Sequence, residues 1–373
     1  MNGPDPLLCW LWLSHVLGPA NGSARNVLER YGNAQNAWSA RETEEFQQMV
    51  GPASAGRALR LDPEDDHELV MWCDAMDVRI LTCDDLEYPR KFLEIPSLPP
   101  VLYCTGDVGW LNAPATVGLV GTRDPSPYGK QAAADIGRGL ARAGAVIVSG
   151  LAVGLDSIGH QVAVKEHGPT IGILGIPIDE TYPATNRRLR REMEANGCVI
   201  SEYPPRSRPL GKNGFLMRNR LIAALSSVLV VVEAREKHSG TLYTVKYAQA
   251  YHRPVYAVPG SIYTVESSGT NALLRDGKAK AVCRAEDLFE ALNLHPPVQN
   301  SAKPAASSIS RPAPAPLSEV ERKILACVGP AAKGMEELGM ESGLPLPLLS
   351  STLMKLELAG RVTCLPGKRY ILR

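Results

Sequence analysis

The sequence lacks the patterns that mark several large classes of protein. Its eight cysteines include no C-x-x-C pair, so neither a zinc site nor a dithiol redox motif is predicted. The apolar run Leu7–Leu17 is too short to span a membrane, has no basic leader and is followed by no small-residue cleavage site. These absences predict a cytoplasmic protein with reduced thiols, no metal site and no membrane span, in which Leu7–Leu17 forms a buried helix.

Cofactor and catalytic motifs are also missing. The chain has no Walker sequence, no G-x-G-x-x-G fingerprint with its downstream acid, and no Ser-His-Asp or paired-carboxylate pattern. We therefore predict no cofactor and no catalytic residue. Asp156 and His160 stand four residues apart, a spacing that acid–base pairs and metal ligands share. A helix-capping aspartate and a packed histidine are the favoured interpretation.

Phenylalanine is scarce, with four in 373 residues, and the formal net charge is only +1. The charge is nevertheless uneven along the chain. Residues 187–220 hold nine Arg or Lys against three Glu, whereas residues 41–94 hold 14 Asp or Glu against six Lys or Arg. A basic block in a near-neutral chain predicts a local anion-binding surface, although a solvated helix face explains Arg187–Arg191 equally well.

The length of the chain predicts two or three domains. Residues 1–80 contain short helical patterns separated by glycine turns and indicate a small helical domain. Residues 296–316 are rich in Pro, Ala and Ser, and we predict a linker there because this composition cannot bury a core. Residues 317–373 have the order of a winged helix, with charges too balanced to separate DNA binding from protein binding.

Residues 81–295 alternate apolar strands with helices, which predicts an open, doubly wound, Rossmann-like α/β domain with a mostly parallel sheet. Strands such as VLVVV are apolar throughout, as expected when both faces of a sheet are buried. The predicted strands are 116–120, 145–148, 170–174, 198–201, 228–233 and 254–258, and the predicted helices are 129–143, 156–167, 185–196, 218–225 and 241–251.

Several predicted strands run directly into glycine, serine or arginine turns. In doubly wound folds, the carboxyl edge of the sheet is where phosphate groups bind, because backbone N–H groups and helix N-termini meet there. A strand-ending turn with a paired arginine, or an ordinary helix cap, explains each turn by itself. The candidate phosphate-binding residues are Gly121, Thr122, Arg123, Ser149, Gly150, Ser239, Gly240 and Thr241.

A second group of candidates lies in the sequence KNGFLMRNR, at a predicted helix start. Lys212 and the arginines Arg218 and Arg220 are cations around Phe215, and Asn219 stands between the arginines. Aromatic rings among cations are typical of proteins that bind single-stranded nucleic acid, since bases stack while the cations neutralise the backbone. The alternative is that Phe215 is a core residue and that Arg218 or Arg220 pairs with an acid such as Glu202 or Glu233.

Taken together, these segments resemble the DNA processing protein A family, also called DprA or Smf. The resemblance runs from about residue 99 to residue 287. It rests on PPVLYCTGD, VGTRDPSPYG, VSGLAVGLDSIGH, YPATN, SEYPP, F-x-x-RNRLIAALS, VVVEA, SGTLYTVKYA and VPGSI. A SAM-like helical domain at residues 1–80 and the winged helix fit the longer architecture of that family.

The resemblance implies a non-catalytic protein that binds incoming single-stranded DNA during natural transformation. It further implies a homodimer that loads the RecA recombinase onto DNA covered by single-strand binding protein. The family pattern places Arg123, Lys212 and Phe215 in the DNA groove. This chain departs from the pattern at Pro177, where a glycine is expected, and the missing N–H puts any contact through that turn in doubt.

An enzyme or nucleotide sensor is the alternative. The same α/β core resembles a wider superfamily with nucleoside-monophosphate phosphoribohydrolases, whose P-G-G-x-G-T-x-x-E motif supplies a catalytic glutamate. The corresponding segment here ends in Ser239-Gly240-Thr241-Leu242-Tyr243-Thr244, so a threonine stands where the glutamate is expected. This substitution disfavours the enzymatic interpretation.

Overall fold

The computed structural model describes residues 4–237, 239–294, 317–329, 332–359, 361–365 and 369–372. The chain divides into two compact units, Met1–Gln299 and Asn300–Arg373, which are considered separately below. The predicted linker at residues 296–316 lies outside the described residues. No helix in the described ranges is long and apolar enough to cross a membrane.

The first unit begins with short helices. Asp5 caps the first of them by accepting a hydrogen bond from the Leu7 N–H at 2.7 Å. The run predicted to be a buried helix is one, and Trp12 packs edge-on against Trp38 with ring centroids 5.1 Å apart. The helices are α1 (Pro6–Leu17), α2 (Ala24–Tyr31), α3 (Ala34–Ser39), α4 (Glu44–Val50), α5 (Pro52–Ala58) and α6 (His67–Ala75).

A mixed sheet follows, and the described residues give it nine strands in the order β1-β2-β6-β5-β4-β3-β7-β8-β9. The six strands from β6 to β8 in that order run parallel to one another, and β9 continues the parallel pairing at one edge. At the other edge, β2 pairs antiparallel with both β6 and β1. The strands are β1 (Arg79–Thr82), β2 (Val101–Gly106), β3 (Thr116–Val120), β4 (Val146–Ser149), β5 (Thr170–Leu174), β6 (Cys198–Ser201), β7 (Val228–Val231), β8 (Val255–Ala257) and β9 (Lys280–Ala281).

Helices cover both faces of this sheet, and the buried apolar residues of the unit form one large and one smaller cluster. The doubly wound, mostly parallel α/β class predicted from the sequence is therefore confirmed. The helices are α7 (Pro127–Arg142), α8 (Leu155–Lys165), α9 (Arg187–Glu194), α10 (Lys212–Leu225), α11 (Thr241–Ala250), α12 (Ser268–Arg275) and α13 (Phe289–Leu292).

The predicted elements differ from the observed ones in two main places, of which the first affects the site. Helix α10 begins at Lys212 rather than at Arg218, so the two arginines lie within the helix and Lys212 lies at its start. Strand β2 and its antiparallel partner β1 were not among the predicted strands. Both differences lie outside long apolar runs, which are the features that sequence periodicity detects.

The second unit has the element order of a winged helix, as predicted. Ser318 and Glu321 form a reciprocal capping box at the start of its first helix. A small core that includes Ile324, Leu338 and Leu353 joins the helices. The elements are α14 (Glu319–Cys327), β10 (Lys333–Gly334), α15 (Met335–Ser342), α16 (Leu346–Leu358), β11 (Val362–Leu365) and β12 (Arg369–Leu372), with sheet order β10-β12-β11.

Candidate nucleic-acid interface

An open cleft of about 690 Å³ lies at the carboxyl edge of the sheet. The turn after β3, the start of α10 and the start of α11 form its walls. Ten of the thirteen predicted site residues line it, and Ser149, Gly150 and Arg220 do not. The lining is Val120, Gly121, Thr122, Arg123, Asp124, Ala152, Asp156, Tyr182, Lys212, Phe215, Leu216, Arg218, Asn219, Ile222, Arg235, Ser239, Gly240, Thr241 and Thr244.

An aromatic pair flanked by a cation forms one part of the cleft. The Phe215 and Tyr182 rings are 5.3 Å apart between centroids and inclined by 42°. The Arg123 guanidinium carbon lies 5.6 Å from the Phe215 centroid, within cation–π range. Arg123 and Tyr182 are exposed and Phe215 is half-buried, so ring and guanidinium faces remain accessible to a ligand.

Lys212 is the first residue of α10, following Gly211, whose φ of 59° makes the turn into the helix. Its side chain is exposed and forms neither a hydrogen bond nor an ion pair with another described residue. It stands at the positive end of the helix dipole, where an anion is stabilised. Lys212 is thus available as a point charge for phosphate.

The position of α10 is fixed by a direct backbone contact. Gly214, in the first turn of the helix, faces Gly175 in the turn after β5. A Cβ atom on Gly175 would lie 2.8 Å from the Gly214 carbonyl oxygen, and a Cβ on Gly214 would overlap the Gly175 carbonyl oxygen. Only glycine allows this approach on either side, so the cations and the aromatic ring of α10 are held by rigid backbone.

Arg218 lines the cleft but is only 3% exposed. Its guanidinium donates hydrogen bonds to the Gly150 carbonyl at 2.7 Å and to the Ile173 carbonyl, which joins the ends of β4 and β5. Burial lowers the pKa of Arg218 to about 10, with Asp156 opposing that shift. Arg218 therefore mainly links α10 to the ends of β4 and β5, and few of its N–H donors remain for a ligand.

Asp156 and His160 are both buried, in the first two turns of α8. The sequence favoured Asp156 as a helix cap, and this prediction is wrong. Its carboxylate instead accepts a hydrogen bond from the Gly150 N–H at 3.1 Å. Burial raises the pKa of Asp156, while Arg218 lowers it. His160 packs as predicted, with Nδ1 2.7 Å from the Thr170 hydroxyl, and burial lowers its pKa to about 3.

Arg220 does not belong to the cleft, which corrects the sequence prediction. Its side chain is 1% exposed and forms a bidentate pair with Glu202, with nitrogen–oxygen distances of 2.9 and 2.6 Å. Its Nε also donates to the Ser97 carbonyl at 3.0 Å. The alternative interpretation, in which this arginine ties the helix to Glu202, accounts for the position.

Ser149 and Gly150 do not line the cleft either. The Ser149 hydroxyl is buried and donates to the Leu119 carbonyl at 2.7 Å. A Cβ on Gly150 would overlap the Arg218 guanidinium, so this glycine makes room for the arginine. Gly121 lines the cleft, yet a Cβ there would overlap the Leu155 side chain. These residues shape the edge of the sheet by packing.

The residues at the start of α11, in contrast, are open to a ligand. Gly240 is the N-cap residue and is exposed, and no atom of a described residue lies within 4 Å of a Cβ built on it. No side chain of a described residue caps the helix, and the Gly240 carbonyl accepts a hydrogen bond from the Asn219 amide at 3.3 Å. An unfilled helix N-terminus in the wall of the cleft fits the predicted anion site.

Sequence reasoning missed Tyr182, Arg235 and Asp124 as cleft residues. Tyr182 stands in the YPATN motif, and its aromatic character beside a proline was the available signal. Arg235 follows β7 and pairs with Glu266 at 3.3 Å. Pro177, which had put one turn in doubt, is buried and does not line the cleft.

The comparisons with known proteins agree with this architecture. The family model described as DNA recombination-mediator protein A matches residues 79–293, and that of the DprA winged helix domain matches residues 308–368. Protein Smf of Synechocystis is 31% identical, over 97% of both chains. A putative DNA processing protein DprA of Mycobacterium tuberculosis is 33% identical, over 98% of this chain and 94% of its own.

Two solved structures are similar as well. The X-ray structure of DNA processing protein A from Streptococcus pneumoniae matches with a TM-score of 0.65 and 29% identity, over 78% of this chain and 98% of its own. DNA processing protein A from Helicobacter pylori, described for its unique single-stranded DNA binding mode, matches with a TM-score of 0.53 and 36% identity, over 58% and 98%.

The fold and the cleft define a Rossmann-like protein with an appended winged helix. The chain belongs to the DNA recombination-mediator protein A family, the DprA/Smf proteins of DNA processing.

Proposed function

We propose that the cleft binds single-stranded DNA without regard to sequence. The observation that carries this proposal is the Phe215–Tyr182 pair flanked by Arg123 and Lys212. Aromatic faces stack on any base, and the cations meet the phosphates on either side. Paired bases in a duplex hide their faces, so a stacking site of this kind favours single strands. The single-stranded DNA binding described for the Helicobacter pylori protein supports the same conclusion.

The wider role that we propose is recombination mediation during natural transformation. The chain would protect incoming single strands as a homodimer in the cytoplasm and load the RecA recombinase onto DNA covered by single-strand binding protein. The family description as a recombination mediator supports this role. Strand exchange by RecA on DNA precoated with single-strand binding protein tests it, and no stimulation by the purified protein would argue against it.

A catalytic role is not part of the proposal. Thr244 stands where the related phosphoribohydrolases carry glutamate, and among the described residues the acids that line the cleft are Asp124 and the buried Asp156. Release of free base from a nucleoside monophosphate by the purified protein would restore the enzymatic alternative.

Fluorescence anisotropy of labelled oligo-dT over a range of salt concentrations tests the DNA site. Lys212→Ala and Arg123→Ala should each weaken binding and reduce the slope of log K against log salt by about 0.7, the value for one lost phosphate contact on single strands. Phe215→Leu keeps an apolar side chain but removes stacking, and should cost about 1–3 kcal/mol of binding free energy.

Lys165→Ala is the matched control for the charge. Lys165 is exposed and ends α8, whose start lies at the cleft, so it stands at the opposite edge of the sheet. Its substitution should leave affinity and slope unchanged. If Lys212→Ala and Arg123→Ala behave like this control, the DNA site lies elsewhere. Tighter binding of matched duplex than of oligo-dT would contradict the preference for single strands.

A further inference from the structure

Helix α9 carries four arginines that have different environments. Arg190 is buried, and Arg188 pairs with Glu192 at 2.7 Å. Arg187 and Arg191 are exposed, and their side chains form no hydrogen bond or ion pair with any other described residue. These two are one turn apart, so they lie on the same side of the helix. Within α9, two guanidinium groups are thus available on one surface.

The orientation of α9 is fixed by Arg190. Its guanidinium donates to the Ile178 carbonyl at 2.7 Å, to the Glu180 carbonyl at 2.6 Å and to the Glu194 carboxylate at 2.8 Å. A residue with this many partners cannot turn outward without leaving buried carbonyls unsatisfied. Arg187 and Arg191 are therefore held facing solvent, and the acids of the helix, Glu192 and Glu194, are engaged by its other two arginines.

The start of α9 lies next to the cleft. Asn186, which precedes the helix, donates to the Leu151 carbonyl at 2.8 Å and to the Ser157 hydroxyl at 2.9 Å, in the segment that also supplies Ala152 to the lining. Four residues earlier in the chain, Tyr182 packs against Phe215 inside the cleft. Helix α9 therefore begins five residues after Tyr182 and immediately after Asn186, whose contacts hold it to a segment that lines the cleft.

We propose that Arg187 and Arg191 bind phosphates of a DNA strand that leaves the cleft past Tyr182. This inference rests on the proposed single-strand binding in the cleft and adds a second contact region outside it. A guanidinium offers planar donors to phosphate without selecting a base. A short oligomer that fills the cleft does not reach α9, whereas a longer one does. The two arginines therefore act only on longer DNA.

Anisotropy titrations with dT oligomers of about 5 and about 16 nucleotides, within the range of known single-strand site sizes, test this inference. The double variant Arg187→Gln and Arg191→Gln should bind the short oligomer as the wild type does. With the long oligomer, it should lose about tenfold in affinity at low salt, and its salt slope should fall by about 1.4, the value for two lost phosphate contacts.

The control is the double variant Arg138→Gln and Arg142→Gln. Arg142 is exposed and Arg138 is half-buried, and each is paired with a carboxylate. They have the same i, i+4 spacing, but they lie in the last turns of α7, at the edge of the sheet opposite the cleft. Equal losses in the two double variants would assign the effect to net charge and overturn the inference. Equal affinity of wild type and Arg187/Arg191 variant for the long oligomer would also overturn it.

The two proposals fail in distinguishable ways. If wild type binds the short oligomer and Lys212→Ala weakens that binding, the cleft stands whatever the α9 variant does. If wild type binds neither oligomer, the cleft proposal fails, and the inference about α9 fails with it. Unchanged circular dichroism and thermal midpoint of both double variants ensure that the comparison reports binding.

Discussion

At the scale of single residues, arginines that look equivalent in the sequence have different roles in the structure. Arg123 is exposed beside an aromatic ring, Arg218 joins two strand ends, and Arg220 is buried against Glu202. The distant partners of Arg218 and Arg220 described above lie between 18 and 123 residues away in the chain. Local pattern identified the cations of the cleft but could not separate ligand-facing from internal arginines, because that choice depends on distant backbone.

His160 should make stability depend on pH. Its folded pKa of about 3 lies below the ordinary value near 6.5, since burial disfavours the charged ring. The unfolded chain therefore binds a proton that the folded chain does not. The stability from His160 is present above pH 6.5 and is lost as pH falls. We expect a loss of about 2 kcal/mol in the free energy of unfolding between pH 7 and pH 5.

Urea unfolding of wild type and His160→Gln at both pH values measures this effect. The variant should lose about 2 kcal/mol less than wild type over that interval. Asp156 has a raised pKa and acts with the opposite sign, favouring the folded state as pH falls, but it is present in both proteins and cancels in the comparison. Identical pH dependence in the two proteins would mean that His160 is already accessible to protons in the folded state.

At the scale of elements, the central strands were predictable because they are apolar throughout. The strands at 116–120, 170–174 and 198–201 have the predicted bounds. The start of α10 was not predictable, because its first turn contains Gly214, a weak helix former. That glycine is required by the contact with Gly175, which lies in another part of the chain. Tertiary packing here overrides local propensity.

The turn after β4 gives a test of how packing supports the cleft. Gly150→Ala should displace the Arg218 guanidinium and cost about 1–3 kcal/mol of stability, the usual range for overpacking. Oligo-dT affinity should fall too, because Arg218 holds α10 against the strand ends. Urea unfolding and anisotropy measure the two effects.

Gly240→Ala is the matched comparison for that substitution. Its φ is −60°, and no atom of the part of the chain that the structure describes lies within 4 Å of the added methyl group. The protein should keep wild-type stability. Equal stability of the Gly150 and Gly240 variants would show that the turn after β4 repacks freely, and would remove the structural role given to Arg218.

At the scale of the whole molecule, the two compact units have separate cores. The winged-helix core consists only of residues from the second unit, and every residue that lines the cleft belongs to the first. The central alternation of strands and helices in the first unit, and the element order of the second, were predictable from turn residues and apolar patterns. The set of residues that line the cleft was less predictable, because it depends on the order of the strands in the sheet. Strands β3 and β7, for example, are neighbours although they are far apart in the chain.

A chain that ends at Gln299 should fold and bind the short dT oligomer with wild-type affinity, because it keeps the whole sheet and the cleft. Circular dichroism, thermal unfolding and anisotropy of the truncated protein measure this. The same truncation carrying Lys212→Ala should lose affinity as the full chain does. Loss of binding on truncation alone would show that the winged helix contributes to the DNA site.

The contact between Gly175 and Gly214 bears on the speed of DNA capture. A wall that rests backbone against backbone is held in place before any ligand arrives. If DNA binds in this cleft as proposed, the α10 wall needs no ordering after encounter, and we expect association to be limited by diffusion and electrostatic attraction. The lifetime of the proposed complex would then depend on the stacking and phosphate contacts, and we expect a substitution in the aromatic pair to shorten residence without slowing capture.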